Sequence, residues 1–222
     1  MKLKLGMIGL GQRGSTLLNT LVSFDNVEIV ALCDLYQDRI DDANKVVKEK
    51  CGYESKGYTD YTALLADENV QAVIVASSWE THADLAIASL NARKITALEV
   101  GGALTVEDCW KLVDTYESTK TPFMFLENCC FDKLELMMTN MARHGLFGEI
   151  VYCSGAYSHD LRDEVLGGNV NRHYRLNNYM HRNCENYPTH QLGPIAKILD
   201  INRGNRMVRL VSVASKSAGL RS

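Results

Sequence analysis

The sequence predicts an α/β protein: a doubly wound parallel sheet over residues 1–128, followed by an incomplete α+β domain over residues 129–222. Three observations carry this. Short, almost continuously apolar runs alternate with longer stretches of helical period as far as residue 128, the pattern of strands buried on both faces and joined by crossover helices. A glycine-rich turn separates the first apolar run from the first helical stretch. Past residue 128 both periodicities give way to a long polar segment.

Five strands are expected in the first part, at Leu3–Ile8, Val27–Cys33, residues 70–76, Ile95–Leu98 and residues 123–126. Between them, residues 15–22, 37–50, 81–91 and 106–118 carry apolar side chains three and four apart, with charges such as Asp41, Lys45 and Lys48 facing outward. The second part predicts a helix over 132–143, a Gly-Leu-Phe-Gly turn over 145–148 and an alternating strand over 149–157. Residues 158–187 read as a long loop, of a length usually reserved for function. Pro188 then opens a helix over 190–199, as proline favours the first helical position, and a strand over 207–214 follows. One helical layer and two strands cannot close a core, hence the expectation of an incomplete domain.

With 46% hydrophobic and 23% charged residues in 222, the chain can bury a sizeable core, which excludes disordered, collagenous and coiled-coil classes. A net charge of −3 without any Lys/Arg block disfavours a nucleic-acid partner. No apolar run approaches membrane-spanning length, and Gly11-Gln12-Arg13-Gly14 interrupts the apolar start. Seven cysteines with no C-x-x-C pair read as reduced thiols. A soluble, cytoplasmic chain is expected.

Gly9-Leu10-Gly11-Gln12-Arg13-Gly14 fits G-x-G-x-x-G directly after a predicted strand and at the start of a predicted helix. In that setting the glycines permit a tight turn and close backbone approach, and the helix N-terminus offers amides and positive dipole to a pyrophosphate. Asp34 ends the second strand twenty residues past Gly14, where a carboxylate accepts hydrogen bonds from an adenine-ribose diol. Its neighbours Leu35 and Tyr36 supply no cation for a 2′-phosphate, so NAD is expected over NADP. Further loops at the same sheet edge hold Trp79, Glu80, Thr81 and His82, then Glu99 and Val100, then Glu127 and Asn128. Each could line the nicotinamide side, although taken singly Trp79 reads more readily as a packing residue and His82 as a surface or capping histidine.

Read together, these loops resemble the Gfo/Idh/MocA family of nucleotide-binding sugar enzymes. Within it, Glu127-Asn128-Cys129-Cys130, residues 145–150, Gly155-Ala156-Tyr157, Tyr187-Pro188-Thr189-His190-Gln191-Leu192-Gly193-Pro194 and residues 202–206 resemble the glycoside hydrolase family 109 branch. The resemblance implies cofactor contacts from Gln12, Arg13, Asp34, Trp79 to His82, Glu99, Val100 and Asn128, with Pro188, Thr189 and His190 beside the nicotinamide. It implies sugar binding by Tyr157, Arg175 and Tyr187, and self-association through the substrate domain. Two departures stand out. The family's substrate domain continues beyond residue 222, and the Lys and Asp of ordinary dehydrogenases in the family are replaced here by Val100 and Asn186.

The chemistry so implied is NAD-dependent cleavage of a glycoside of the α-N-acetylgalactosaminide type. Hydride leaves sugar carbon 3, the acidified carbon 2 proton and the aglycone are eliminated, water adds, and the hydride returns. His190 is the expected hydroxyl base, kept neutral by its place at a helix start. Tyr157 or Tyr187 would handle the carbon 2 proton, with Arg175 lowering the phenol pKa. The alternatives are an NAD-dependent sugar or cyclitol dehydrogenase and a non-catalytic NAD-binding subunit. No metal site is expected, because His173, His181, Cys184 and His190 match no familiar zinc spacing.

Overall fold

In the computed structural model, which describes residues 2–217, one parallel sheet is built from β1 (Leu3–Ile8), β2 (Val27–Cys33), β3 (Lys56–Tyr58), β4 (Ala72–Val75), β5 (Ile95–Leu98) and β6 (Phe123–Phe125). Their order is β3-β2-β1-β4-β5-β6. The crossovers are α1 (Gln12–Leu21), α2 (Gln37–Cys51), α3 (Tyr61–Ala66), α4 (Trp79–Asn91) and α5 (Val106–Thr119). Successive strand residues go to opposite faces: Leu5 and Met7 join Leu18, Ile40 and Val47 in one apolar cluster, while Ile8 joins Leu64, Val73 and Leu85 in another. Helices cover both faces, and the strand order reverses direction beside β1, the doubly wound arrangement.

The sequence reading misses β3 and α3. The three residues of β3, Lys-Gly-Tyr, hold no apolar run, because an edge strand needs only its ladder to β2, formed by Ala31 opposite Lys56 through Cys33 opposite Tyr58. The six-residue α3 is too short to display a period and is set by its cap: the Asp60 carboxylate accepts from the Thr62 N–H at 2.9 Å. α1 and α4 begin at Gln12 and Trp79, two to three residues before the first apolar repeat.

The chain divides into two units, Met1–Leu126 and Glu127–Ser222. The second holds a 3₁₀ turn (Asn128–Cys130), then α6 (Lys133–Arg143), α7 (Arg162–Leu166), α8 (Gly168–Asn171), α9 (Arg175–His181) and α10 (Pro188–Ile198). Two expectations fail here. Among the described residues this unit contains no strand, only an isolated bridge between Ile201 and Asn205. Residues 149–157 and 207–214 alternate as strands should, but neither finds a ladder partner, and Val151 and Val213 stay 89% and 90% exposed. Conversely, residues 158–187 are not structureless: α7, α8 and α9 occupy them in pieces of four to seven residues, too short to show a helical period. Among the described residues no helix is long and apolar enough to cross a membrane.

Candidate active site

The glycine loop of the first unit is shaped by contacts that forbid side chains. Gly9 has φ +94°, and a Cβ there would lie 2.6 Å from the backbone of Ala76 and Ser77. A Cβ on Gly14 would sit 2.0 Å from the Gly9 carbonyl oxygen, so α1 starts hard against the end of β1. Around Gly11 the space is open, bounded by the Arg39 guanidinium at 3.6 Å. α1 carries no side-chain cap and no acid in its first turn, so its leading N–H groups and positive dipole end are presented to an anion. Gln12 and Arg13 are exposed on that first turn. The cradle fits a dinucleotide diphosphate.

Asp34 closes the other end of this edge. Its Oδ2 accepts the Leu10 N–H at 2.8 Å and its Oδ1 the Tyr36 N–H at 3.0 Å, which fixes a buried carboxylate beside the loop with lone pairs left for a ribose diol. Leu35 and Tyr36 supply no cation, as their types require, but the fold brings one from further along the chain. Arg39, on the first turn of α2, brings Nη1 to 3.6 Å from Asp34 Oδ2 and lies over the Tyr36 ring at 4.9 Å.

The remaining loops of the edge are braced from within. Arg13 Nε and Nη2 both reach Glu99 Oε1 at 2.9 Å, and Glu99 Oε2 accepts the N–H of buried Val100. Trp79 is buried against Gly101, where a Cβ would lie 2.1 Å from the indole. His82 is neither a surface nor a capping histidine: it is 2% exposed, its Nε2 lies 3.0 Å from the Ser77 carbonyl, and burial pushes its pKa down to about 4. Glu80 and Thr81 are exposed.

In the second unit Pro188 opens α10 and Tyr187 caps it, which puts His190 in the first turn. His190 Nδ1 donates to Glu127 Oε1 at 2.6 Å, with the two side chains 8% and 6% exposed. The Cys129 N–H donates to the same oxygen at 3.0 Å. Gly193 makes the approach possible, since a Cβ there would meet Cys130 Sγ at 2.8 Å and Glu127 Cγ at 3.1 Å. Tyr187 stacks on the imidazole at 4.7 Å with rings 7° apart, and Tyr157 meets it edge-on at 4.6 Å. Arg175 donates through Nη2 to the Tyr187 hydroxyl and pairs with Glu164 at 3.0 Å, which also faces His173 at 3.3 Å. Thus Tyr157, Arg175, Tyr187 and His190 converge, while Asn128 and Pro188 are exposed and Thr189 is half-buried.

One chemical expectation is overturned. Burial pushes the Tyr187 phenol up from its ordinary value, and the Arg175 charge offsets only part of that. Tyr187 is therefore a hydrogen-bond donor at neutral pH, not a base. Burial and the Glu127 carboxylate likewise push the Cys129 thiol up to about 11, which disqualifies it as a neutral-pH nucleophile. Among the described residues, the ligand atoms that gather within 4.8 Å are those of Glu127, Cys129 and His190, rather than the His173, His181, Cys184 and His190 set weighed from the sequence.

Sequence reasoning misses Glu127 as the partner of His190, 63 residues away, for which no local signal exists. It also misses Glu164 and Arg39. Arg39 was findable: it lies five residues past Asp34 and one helical turn from Tyr36.

Residues 3–126 match the model described as an oxidoreductase family with an NAD-binding Rossmann fold. The chain belongs to that family. Residues 131–222 match the C-terminal domain of glycosyl hydrolase 109. An α-N-acetylgalactosaminidase of Bacteroides fragilis is 41% identical over 98% of this chain and 53% of its own length. A glycosyl hydrolase family 109 protein of Solibacter usitatus is 37% identical over 98% of this chain and 51% of its own. The chain spans about half the length of the curated relatives it matches. Among solved structures, a probable dehydrogenase from Thermotoga maritima superposes with a TM-score of 0.59 at 29% identity, over 66% of this chain and 42% of that one. The fold is shared with scyllo-inositol dehydrogenase from Lactobacillus casei bound to NAD(H) and scyllo-inositol, at TM-score 0.61 and 20% identity, over 68% of this chain and 43% of that one. The first unit is an NAD-binding Rossmann domain of the Gfo/Idh/MocA oxidoreductases.

Proposed function

We propose that the protein is an NAD-dependent glycoside hydrolase of the α-N-acetylgalactosaminidase type, acting by transient oxidation at sugar carbon 3. The observation that carries this reading is the His190 imidazole, held by Glu127 and flanked by Tyr157 and Tyr187, in a chain that joins an NAD-binding domain to a glycosyl hydrolase 109 segment. The 41% identity to the Bacteroides fragilis enzyme supports it. When bound, NAD supplies the hydride acceptor and later the donor, so turnover consumes no external oxidant.

The chain's own residues do the rest. Gly9, Gly11 and Gly14 let backbone amides approach the diphosphate, and Asp34 receives the ribose diol. His190 takes the sugar hydroxyl proton at Nε2: donation of Nδ1–H to Glu127 fixes the tautomer that leaves this nitrogen its lone pair. Tyr187, kept protonated, donates a hydrogen bond to the sugar, and the carbon 2 proton falls to Tyr157. Arg175 orients Tyr187 through its hydroxyl. The dehydrogenase reading draws on the same dyad, since a hydroxyl base serves either reaction, but Val100 in place of the usual lysine counts against it. All seven cysteines are free thiols, which supports a reducing, cytoplasmic setting. The exposed apolar segments of the second unit support self-association with a second copy.

The test is incubation of the purified 222-residue protein with NAD and p-nitrophenyl α-N-acetylgalactosaminide, following nitrophenol and 340 nm absorbance together. Release of nitrophenol without net NADH is expected. NADH accumulating with free sugar would establish the dehydrogenase instead. Bound NAD without either signal would leave a cofactor-binding protein and overturn the glycosidase.

A further inference from the structure

We propose that Glu127, Cys129 and His190 form a zinc site, and that the metal switches off the hydroxyl base by reversing the tautomer of the imidazole. The metal site stands on the second unit alone, whereas its effect on turnover rests on the glycosidase reading. One ligand atom from each of the three residues lies within 4.8 Å of the other two. Small side-chain rotations bring that span to the roughly 3–4 Å that separates neighbouring ligands around a tetrahedral zinc. An imidazole, a carboxylate and a thiol together suit Zn²⁺, and the sulfur disfavours the hard cations that take oxygen alone. The surroundings of Glu127 point to a cation as well. Its side chain is 6% exposed, yet Oε2 finds no hydrogen-bond partner among the described residues. A buried carboxylate oxygen left in that state costs free energy, which a cation bound there would recover. Oε1 accepts from the Cys129 N–H at 3.0 Å and from His190 Nδ1 at 2.6 Å, so the carboxylate is oriented before any metal arrives. Cys129 is half-buried, which leaves a path from solvent to the buried pair.

The consequence for the base follows from which nitrogen faces the carboxylate. Nδ1 does so, and while it carries the proton it donates to Glu127, Nε2 keeps the lone pair that accepts the sugar hydroxyl proton. A zinc ion between Nδ1 and the carboxylate needs the lone pair on Nδ1 instead. The Nδ1 proton then moves to Nε2, and the Cys129 thiol gives its own proton to water, displaced by the dication. Zinc is left with a carboxylate, a thiolate and a neutral imidazole, and one proton leaves the protein. The imidazole now presents an N–H where the reaction needs an acceptor, so the metal blocks the base without occupying its catalytic nitrogen.

The experiment titrates Zn²⁺ by calorimetry and Co²⁺ by absorbance into the whole chain after chelator treatment, for wild type, Cys129→Ser and Cys184→Ser, the last an exposed thiol outside the cluster. Wild type and Cys184→Ser are expected to bind one metal with a thiolate-to-cobalt charge-transfer band. Cys129→Ser is expected to lose the band and to bind zinc at least about tenfold more weakly. Cys129→Ala stands in if the serine variant does not fold. ¹⁵N NMR, with the His190 signals assigned through His190→Gln, should show Nδ1 protonated without metal and Nε2 protonated with zinc. In the glycosidase assay saturating zinc should slow nitrophenol release by roughly a hundredfold, the scale of a positioned base, and a chelator should restore it. Cys129→Ser should keep its basal rate and resist the zinc. Equal zinc binding in wild type and Cys129→Ser, or loss of the band in Cys184→Ser, overturns the site. Zinc held by Cys129 with Nδ1 still protonated, or with an undiminished rate, overturns the switch. Protein that shows the cobalt band and the tautomer change but releases no nitrophenol under any condition upholds the metal site and overturns the glycosidase reading instead.

Discussion

The two units are built on different kinds of contact. In the first, a buried side chain meets partners supplied by the same 126 residues: Met7, Ala31, Leu32, Val73 and Val75 are all 0% exposed, and every strand has its ladder. In the second, residues 149–157 and 207–214 find no ladder partner, and Val151, Val208 and Val213 are 89%, 86% and 90% exposed; order resides in short helices and in the contacts around His190, Tyr157 among them. The contrast teaches that a strand pattern in sequence is a statement about a face, and that the face becomes a strand only when a ladder partner is present. Helical segments need no such partner for their backbone, so α6 and α10 form in the second unit while its strands do not.

The sharpest way to break the first unit is at Gly14. Gly14→Ala places a methyl 2.0 Å from the Gly9 carbonyl oxygen, an overlap with backbone that no rotamer relieves. We expect a cost of about 4 kcal/mol and loss of NAD binding, read by thermal denaturation and calorimetry, with the helices of the second unit retained. A melt unchanged from wild type would mean the β1–α1 turn is looser than its contacts indicate.

Next in size is the acid sensitivity of the first unit. The His82 pKa is pushed from 6.5 down to about 4 by burial. As pH falls below 6.5 the unfolded chain takes up a proton at this residue and the folded chain does not, so stability is complete above pH 6.5 and is lost as pH falls towards 4. The full effect is about 3 kcal/mol. Urea midpoints measured from pH 7 to pH 4 should fall for wild type, and His82→Gln should flatten that slope while leaving the effects of the carboxylates in place. The same slope in both proteins would remove His82 as its cause.

How far the sequence could be read follows the same division. Strands buried on both faces announce themselves by composition, so β1, β2 and β5 are legible to the residue. The edge strand β3 is not, because Lys-Gly-Tyr pairs by backbone alone. Gly9, Gly11, Gly14 and Asp34 are legible because spacing along the chain alone puts them at the β1–α1 turn and the end of β2. Glu127 and His190 meet only through folding, and nothing local in either segment records that they do. Whether Tyr187 is acid or base is likewise a property of burial: Arg175 stands beside it as expected, yet desolvation outweighs that charge. The resemblance to family 109 singled out Tyr157, Tyr187 and His190, whose rings the structure brings together, whereas the alternation of 149–157 and 207–214 suggested two strands that this chain does not pair.

Within the second unit, Gly193→Ala should cost about 1–2 kcal/mol, less than Gly14→Ala, because the new methyl would meet side-chain atoms, Cys130 Sγ at 2.8 Å and Glu127 Cγ at 3.1 Å. These can yield, but only by parting α10 from the 3₁₀ turn. The His190–Glu127 bond should lengthen with them, and a displacement of roughly 1 Å at a catalytic group is worth about a hundredfold in rate. A glycosidase assay set beside the melt separates the two, since a small stability loss with a large rate loss is the signature of a misplaced base. Equal, small losses in both would show that the dyad tolerates the shift.

The smallest expected effect tests what the exposed valines are doing. Val151→Ser with Val213→Ser changes two side chains that are 89% and 90% exposed, so folding stability should move by no more than about 0.5 kcal/mol. Val73→Ser, in a strand residue 0% exposed, should cost several times that, because it buries a hydroxyl and removes packing at once. If the exposed valines cover a second copy of the chain, light scattering should show the double variant shifting towards monomer at a concentration where wild type is associated, with the melt of the first unit untouched. Wild type running as a monomer at every concentration would overturn self-association and leave these segments as faces with a strand's alternation and no ladder.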